Sequence, residues 1–329
     1  MVASSPVVIV NMPDAVVDEL FDRDVRERLQ AVGDVSFVGA SGGPERLQAD
    51  VLVTGWQTPP LPDRLGPTDR VRFIAHSAGT IRSIIRKTLI ADGVRVSQST
   101  AALSQSVAEM ALYSTISLLR SLHSVDRRMH AERDWKAAVP RPAGDTVAGS
   151  TIGVIGASRI GRIYIRLARA LGSRVLVHDP FLSETDAAEL QVERVPLEDL
   201  LRASRVVVNH APVTDETRGM LDGRRLGLIA DGGILINTAR AAIIDGAALE
   251  AELISGRLSA ALDVFDVEPL PASSALWGLP NVLLSPHIGG VTRQARRGQG
   301  LITVEEIERY LAGQPLQHEV DLANYDRLA

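Results

Sequence analysis

Short runs of β-branched and other apolar residues recur along the whole chain, separated by polar segments and segments with helical patterns. The N-terminal runs are VVIVNM (7–12), DVSFVG (34–39), ADVLVTG (49–55), RFIAH (72–76) and VRVSQS (94–99). The later runs are TIGVIG (151–156), RVLVHD (174–179), RVVVNH (205–210), GILINT (233–238), SAALDVF (259–265) and VLLSPHI (282–288). Strand–helix alternation favours parallel pairing, and nearly continuous apolar runs are typical of strands covered on both faces. The sequence therefore predicts an α/β protein with two doubly wound parallel-sheet domains.

Three further segments organise the chain around these runs. LSQSVAEMALYSTISLLRSLHSVDRRMH (103–130) lacks glycine and proline and predicts one long helix that links the two domains. KAAVPRPAGDTVAG (136–149) is typical of a loop. TRQARRGQGLITVEEIERYLAG (292–313) predicts a tail helix, which is compatible with packing back on the first domain.

Composition excludes several classes of function. The chain has 329 residues, no cysteine and a formal net charge of −5. Disulfides and thiolate chemistry are thereby excluded, and the charge argues against a nucleic-acid partner. No apolar stretch approaches the ~20 residues of a membrane helix, and MVASSPVVIV does not have the pattern of a signal peptide. We expect a cytoplasmic protein without a membrane partner or a metal site.

The segment TIGVIGASRIG (151–161) has the order of a dinucleotide-binding turn. Gly156 and Gly161 occupy the first and third glycine positions of G-x-G-x-x-G, and Ser158 replaces the middle one. The next predicted strand ends in Asp179, 23 positions after Gly156, near the spacing expected for a ribose-binding carboxylate. The alternative is a strand-to-helix turn without a ligand, which has no need of that carboxylate.

Three chemically suited residues follow the ends of later strands. NTARAAIID (237–245) contains Arg240, LDVFDVEPLP (262–271) contains Glu268, and SPHIGG (285–290) contains His287. Ligands bind outside the carboxyl ends of parallel strands. A histidine can protonate a ketone oxygen, a neighbouring carboxylate favours its charged form, and an arginine can clamp a substrate carboxylate. Singly, each is also compatible with a structural role: a surface or capping arginine, a loop acid, a satisfied histidine.

With these motifs in place, nearly the whole chain resembles the D-isomer-specific 2-hydroxyacid dehydrogenase family. NTAR, LDVFDVEPLP and SPHIGG resemble the family's arginine, glutamate and histidine motifs, HAPVTDETRGML (210–221) its cofactor-side loop, and SVAEMAL (106–112) its domain-crossing helix. The resemblance implies a flavodoxin-like substrate domain and a Rossmann NAD domain with an interdomain cleft, and a homodimer formed through the NAD domain. It divides the chain into a discontinuous substrate-binding domain (1–102 and 291–329) and an NAD-binding domain (103–290).

The resemblance also implies residue roles. Arg240 would bind the substrate carboxylate and carbonyl, His287 would be the acid/base, and Glu268 would support His287. The implied NAD-binding residues come from the turns after the strands: Gly156, Ser158, Arg159, Ile160, Gly161, Asp179, His210, Ala211, Pro212, Thr217, Thr238, Ala239, Asp263, His287 and Gly289. The implied substrate-binding residues are Ser77, Ala78, Gly79, Arg240 and His287.

Three departures from the family pattern affect these expectations. Ser158 places a Cβ where the backbone approaches the pyrophosphate, with strain if its φ is positive. Ala241 stands where glycine is usual, and HSAGTIRSI (76–84) differs from the usual substrate loop, so the identity of the 2-keto or 2-hydroxy acid is not predicted. Two hypotheses follow: an NAD-dependent enzyme that interconverts 2-keto acids and D-2-hydroxy acids, or a non-catalytic NAD(H)-sensing, corepressor-like protein.

Overall fold

The computed structural model describes residues 5–79, 81–140, 142–323 and 325–327, which form strands and helices in regular alternation. The strands are β1 (Val7–Asn11), β2 (Asp34–Phe37), β3 (Val51–Thr54), β4 (Phe73–His76), β5 (Arg95–Gln98), β6 (Thr151–Ile155), β7 (Arg174–His178), β8 (Glu193–Arg194), β9 (Val206–Asn209), β10 (Ile234–Asn237), β11 (Ser259–Leu262) and β12 (Val282–Leu284). The α-helices are α1 (Asp14–Leu20), α2 (Arg23–Gln30), α3 (Lys87–Ala91), α4 (Ser104–Leu119), α5 (Leu122–Glu132), α6 (Trp135–Ala138), α7 (Arg159–Ala170), α8 (Glu184–Leu190), α9 (Leu197–Ala203), α10 (Gly223–Leu226), α11 (Gly246–Ile254) and α12 (Arg293–Leu311).

The chain divides into two compact units. Unit 1 comprises residues 1–103 and 291–329, and unit 2 comprises residues 104–290. Each unit has its own parallel sheet with a hydrophobic core on both faces. No helix in the described ranges is both long enough and apolar enough to cross a membrane.

Unit 1 contains a five-stranded parallel sheet in the order β2-β1-β3-β4-β5. This is the flavodoxin-like order. Successive strand residues point to opposite faces, so Val8 and Val10 join one core while Ile9 joins the other. The tail helix α12 places Val304 and Ile307 in the same core as Val8. Packing of the tail helix on the first domain is therefore confirmed.

Unit 2 contains a seven-stranded parallel sheet in the order β12-β11-β10-β9-β6-β7-β8. The chain starts in the middle at β6, builds outward through β7 and β8, and then returns to the other side of β6 through β9. This reversal is the topological switch point at which doubly wound sheets bind ligands. The predicted α/β class with two doubly wound parallel sheets is confirmed, and all eleven predicted strands are present.

Two local predictions are wrong, and one short strand was missed. The expected single helix over 103–130 is two helices, because Ser121 adopts a left-handed conformation with φ of +53° and ends the α4 hydrogen-bond ladder. The sequence gives no sign of this break, since neither glycine nor proline is nearby. The two-residue strand β8 was not predicted, because a run this short and exposed has no hydrophobic period. In addition, the first residues of the predicted loop 136–149 complete helix α6.

Candidate active site

The turn between β6 and α7 allows no side chain at its two glycines. Gly156 has φ of +89°, and a Cβ there would lie 2.8 Å from the backbone nitrogen of Ala211. A Cβ on Gly161 would lie 2.1 Å from the carbonyl oxygen of Gly156. Both glycines are therefore required to bring helix α7, the β6 turn and the loop after β9 together.

Ser158, the departure from the glycine pattern, is accommodated without strain. Its φ is −79° and its ψ −155°, so the positive φ considered from the sequence does not occur. Ser158 is exposed at the N-cap of α7, where its hydroxyl does not cap the helix. The first N–H groups of this twelve-residue helix, which begins with Arg159 and Ile160, thus form an anion-binding end.

Asp179, at the end of β7, is fixed against this turn. One carboxylate oxygen accepts a hydrogen bond from Ala157 N at 2.6 Å, and the other accepts from Phe181 N at 2.8 Å. The carboxylate therefore joins the carboxyl end of β7 to the glycine turn after β6. This is the position that a ribose-binding carboxylate requires, and each oxygen keeps a second lone pair for a hydroxyl donor.

Two buried asparagines that sequence reasoning missed shape the loops after β9 and β10. Asn209 Nδ2 donates to Asn237 Oδ1 at 3.0 Å, so the two side chains join neighbouring strand ends. Asn209 Oδ1 accepts from Ala211 N, and Asn237 accepts from Ala239 N while donating to Arg240 O. The signal in the sequence is an apolar strand that ends in asparagine, as in VVVN and ILIN.

The loops themselves are closed by local hydrogen bonds. The hydroxyl of Thr217 donates to Pro212 O at 2.6 Å and accepts from Thr214 N, which closes the loop that begins at His210. Ala241 lies in a short 3-10 turn, Ala241–Ile243, and does not have the positive φ that would demand glycine. The alanine therefore replaces the family's glycine without backbone strain.

Buried polar atoms without a protein partner lie at the same edge. Thr238 Oγ1 is buried and makes no hydrogen bond to the described residues. An unsatisfied buried hydroxyl is unfavourable unless a ligand or water pairs with it. Together with the glycine turn and the uncapped helix end, it shows that the residues present fit a dinucleotide.

His210 is the second such residue, and it makes the stability of unit 2 pH-dependent. Neither ring nitrogen has a partner within the described chain, the ring centroid lies 5.3 Å from that of Tyr164, and burial lowers the pKa of His210 to about 4. Between the ordinary histidine pKa near 6.5 and about 4 the unfolded chain binds the extra proton, so stability falls as pH falls.

We expect His210→Leu to remove this loss in the cofactor-free protein. Between pH 7 and pH 4.5 the wild-type free energy of unfolding should fall by about 2 kcal/mol more than that of the variant. Urea denaturation at the two pH values measures the difference. His130→Leu, at an exposed position on α5, is the matched control. Equal pH dependence of wild type and His210→Leu would contradict the expectation.

The structure pairs two of the three candidate catalytic residues, and the charge of the third, Arg240, acts on the pair. His287 Nδ1 and Glu268 Oε2 are 2.8 Å apart, and the other Glu268 oxygen accepts from Phe265 N at 3.0 Å. Burial opposes ionisation of Glu268, but the hydrogen bonds from His287 and Phe265 and the charges of His287 and Arg240 hold the pKa of Glu268 below its usual range. A carboxylate thus fixes one side of the imidazole, and Nε2 is left for a substrate.

Asp263 holds the loop that carries His287. This carboxylate is 2% exposed and accepts hydrogen bonds from Ser285 Oγ at 2.6 Å, Ile288 N at 2.9 Å and Gly289 N at 2.8 Å. His287 itself has φ of +54°, an uncommon conformation for a residue other than glycine. Residues on both sides of His287 donate hydrogen bonds to the same buried carboxylate. The backbone of the loop is therefore fixed, and His287 keeps its left-handed conformation.

The predicted substrate loop lies in unit 1, after β4. Ala78 is buried, and the amide N–H groups of Ala78 and Gly79 have no acceptor among the described residues. Ser77 is held from both sides, because its carbonyl accepts from Gln299 Nε2 and its hydroxyl accepts from Thr303. Two adjacent free amides on a fixed backbone are suited to an anion such as a carboxylate. Thr80, in the same loop, lies outside the described residues.

This arrangement agrees with the comparison with known sequences. The sequence model of the D-isomer specific 2-hydroxyacid dehydrogenase family, NAD binding domain, matches residues 112–289, more than half of the chain. The chain belongs to this family. The resemblance stated from the motifs is confirmed, and so is NAD as the cofactor.

Individual family members extend the match across the chain. A hydroxypyruvate reductase of Thermotoga maritima is 33% identical over 268 residues, which cover 80% of this chain and 85% of that protein. A D-3-phosphoglycerate dehydrogenase of Mycobacterium tuberculosis is 30% identical over 301 residues, or 89% of this chain. The chain spans only 56% of that longer protein. The crystal structure of the TT0316 protein from Thermus thermophilus has a TM-score of 0.79, with 28% identity over 96% of this chain and all of that one.

Proposed function

We propose that the protein interconverts a 2-keto acid and a D-2-hydroxy acid with NAD(H). The observation that carries the proposal is the Glu268–His287 pair at 2.8 Å, with the Arg240 charge beside it, at the carboxyl edge of an NAD-binding sheet. Hydride transfer needs an acid for the ketone oxygen and a cation for the carboxylate, and this set contains both.

The cofactor would be held by the turns at this edge and would supply or accept the hydride when bound. The anion-binding end of α7, with Ser158 to Gly161, is proposed for the pyrophosphate, and Asp179 for the adenosine ribose. The other proposed cofactor contacts come from the loops after β9 to β12: His210, Ala211, Pro212, Thr217, Thr238, Ala239, Asp263, His287 and Gly289.

The chain's own residues would handle the proton and the substrate charge. In keto-acid reduction, protonated His287 donates from Nε2 to the carbonyl oxygen, while Nδ1 stays bonded to Glu268. Arg240 offers two parallel N–H donors to the substrate carboxylate and carbonyl. The amides of Ala78 and Gly79, fixed through Ser77, are a further set of donors for the carboxylate. In the reverse direction neutral His287 accepts the hydroxyl proton.

The test is NADH consumption with a panel of 2-keto acids: glyoxylate, hydroxypyruvate, pyruvate and phenylpyruvate. The proposal expects turnover of at least one acid, and chiral chromatography should identify the product as the D-isomer. NADH binding in a fluorescence titration without turnover of any acid would instead support the NAD(H)-sensing alternative. Formation of an L-hydroxy acid would contradict the proposed stereochemistry.

Glu268→Gln is expected to change the pH dependence of reduction. In the wild type a charged carboxylate lies 2.8 Å from His287 Nδ1, and the variant places a neutral amide there. The rate of keto-acid reduction should therefore decline at lower pH in the variant than in the wild type. Profiles of kcat/KM between pH 5 and 9 measure this shift, with Glu198→Gln at a surface ion pair as the control. If the pH profile of kcat/KM does not change, Glu268 does not influence proton transfer by His287.

A homodimer formed through unit 2 is the proposed assembly, and a cytoplasmic location stays a prediction. Support for the dimer comes from large apolar side chains that are exposed on and next to helices α4 to α6: Tyr113, Leu122, Trp135 and Val139. Contact with a second copy of the chain would bury these apolar side chains and remove them from water. Sedimentation equilibrium should give twice the mass of the chain, and Trp135→Glu should shift the equilibrium toward monomer.

A further inference from the structure

An arginine stacked on a tryptophan lies at the carboxyl edge of the unit 1 sheet. Arg296 is in the first turn of α12, and its Cζ lies 3.9 Å from the ring centroid of Trp56. Trp56 follows strand β3, and the loop Ser77–Gly79 follows the neighbouring strand β4. Parallel strands end at one edge, so the arginine and the proposed carboxylate-binding loop share that edge of unit 1.

Helix α12 connects Arg296 directly to that loop. Arg296, Gln299 and Thr303 are spaced three and four residues apart and therefore lie on one face of the helix. Gln299 Nε2 donates to Ser77 O at 3.0 Å, and Thr303 Oγ1 donates to Ser77 Oγ at 2.9 Å. The guanidinium is thus one helical turn from the residue that fixes the loop backbone.

The charge of Arg296 is only partly compensated. The side chain is 16% exposed, and one carboxylate oxygen of Glu19, on a side chain that is 56% exposed, lies 3.1 Å from Nε. The terminal nitrogens make no hydrogen bond to a described residue. Burial lowers the pKa of Arg296, because the cost of removing the cation from water exceeds the stabilisation that the charge of Glu19 provides.

A second polar atom on the same helix face also lacks a partner. Gln299 is fully buried, and its Oε1 has no hydrogen-bond partner among the described residues, although its Nε2 is bonded to Ser77. Trp56 covers one face of the Arg296 guanidinium, which leaves the edge with the two terminal nitrogens for an acceptor. A rigid planar fork of this kind matches carboxylate, sulfonate and phosphate groups.

We propose that Arg296, supported by Trp56, binds a second anionic group of the substrate, so that the preferred substrate class is 2-keto acids with an anionic group on carbon 3. The inference rests on the proposed dehydrogenase function. Ser77, Ala78 and Gly79 remain the proposed contacts of the carboxylate next to the keto group. Arg296 is then a specificity-determining residue, since it distinguishes substrates by their distal group.

The test compares two nearly isosteric acids that differ in distal charge. Oxaloacetate carries a distal carboxylate and 2-oxosuccinamate a neutral amide. We expect the wild-type enzyme to have a kcat/KM ratio of at least tenfold in favour of oxaloacetate, and Arg296→Gln to reduce this ratio below threefold. Arg297→Gln, at the adjacent exposed arginine bonded to Asp22, is the matched control and should keep the ratio.

Glu19→Gln separates substrate binding from a purely structural ion pair. It removes the competing carboxylate and leaves Arg296 in place, so the ratio should rise; an unchanged ratio, or a fall like that of Arg296→Gln, would overturn the proposal. The variant also keeps the test decisive if Arg296→Gln does not fold.

The same assay with 3-sulfopyruvate and 3-phosphohydroxypyruvate compares a distal sulfonate and a distal phosphate with the carboxylate of oxaloacetate. The acid with the largest kcat/KM identifies the preferred anion. Absence of turnover with every acid would overturn the dehydrogenase proposal itself. Turnover without any preference for a distal anion would overturn only the role of Arg296.

Discussion

Replacing His287 with asparagine is expected to lower kcat for keto-acid reduction by roughly 10²- to 10⁴-fold, the usual contribution of a general acid. The imidazole is bonded through Nδ1 to Glu268 at 2.8 Å, so Nε2 is the atom that delivers the proton. Asparagine cannot supply it, because an amide does not ionise near neutral pH. NADH affinity should change far less than kcat, since His287 is one proposed cofactor contact among many and the glycine turn after β6 is untouched.

Asparagine is the right replacement because of the backbone at this position. His287 has φ of +54°, and asparagine is enriched in that left-handed region, whereas alanine would add strain. The three hydrogen bonds on Asp263 from the same loop are then kept. A lower rate can therefore be attributed to the lost proton donor and not to a displaced loop.

Steady-state kinetics and NADH fluorescence titration on the same preparation test this expectation. His130→Asn is a suitable control, since His130 also faces a carboxylate, Asp126, at 3.6 Å on an exposed helix. It should leave kcat unchanged. A His287→Asn variant within about threefold of the wild-type rate would remove His287 from the mechanism.

The sequence was sufficient for the parallel α/β class of both units and for eleven of their twelve strands. Parallel strands covered on both faces have a strong apolar signal, and each candidate residue follows such a run closely. The backbone break at Ser121 could not be predicted, because a left-handed serine has no mark in composition. The residues on either side of Ser121 have the composition of a continuous helix, so the sequence predicts no break there.

Contacts between loops that are distant in the chain also could not be predicted from the sequence. Arg240 and His287 were each predicted at a strand end, but the Glu268–His287 bond depends on how the loop after β11 folds back over the end of β12. Likewise the resemblance implies Asp263 as an NAD-binding residue, but its three hydrogen bonds to the loop that carries His287 are visible only in the structure. Such long-range hydrogen bonds have no periodicity that a sequence pattern can reveal.

Arg240→Lys is expected to lower kcat/KM for the keto acid by about 10²- to 10³-fold, although it keeps the positive charge. Loss of one well-placed donor to a developing oxyanion has an effect of this size. Lysine offers a single ammonium in place of a planar fork, so it cannot hold the carboxylate and the carbonyl oxygen together. The backbone position should be kept, because Asn237 Nδ2 bonds the carbonyl of residue 240 and not its side chain.

The split between KM and kcat distinguishes the two possible roles of this arginine. If the fork binds the carboxylate alone, KM should rise while kcat holds; if it also stabilises charge on the carbonyl oxygen, kcat should fall as well, and the latter is our expectation. Arg224→Lys, at an exposed arginine paired with Glu198 at 2.7 Å, controls for the loss of a guanidinium elsewhere in unit 2. Unchanged KM and kcat in Arg240→Lys would make Arg240 a structural residue, and the substrate carboxylate would then need another cation.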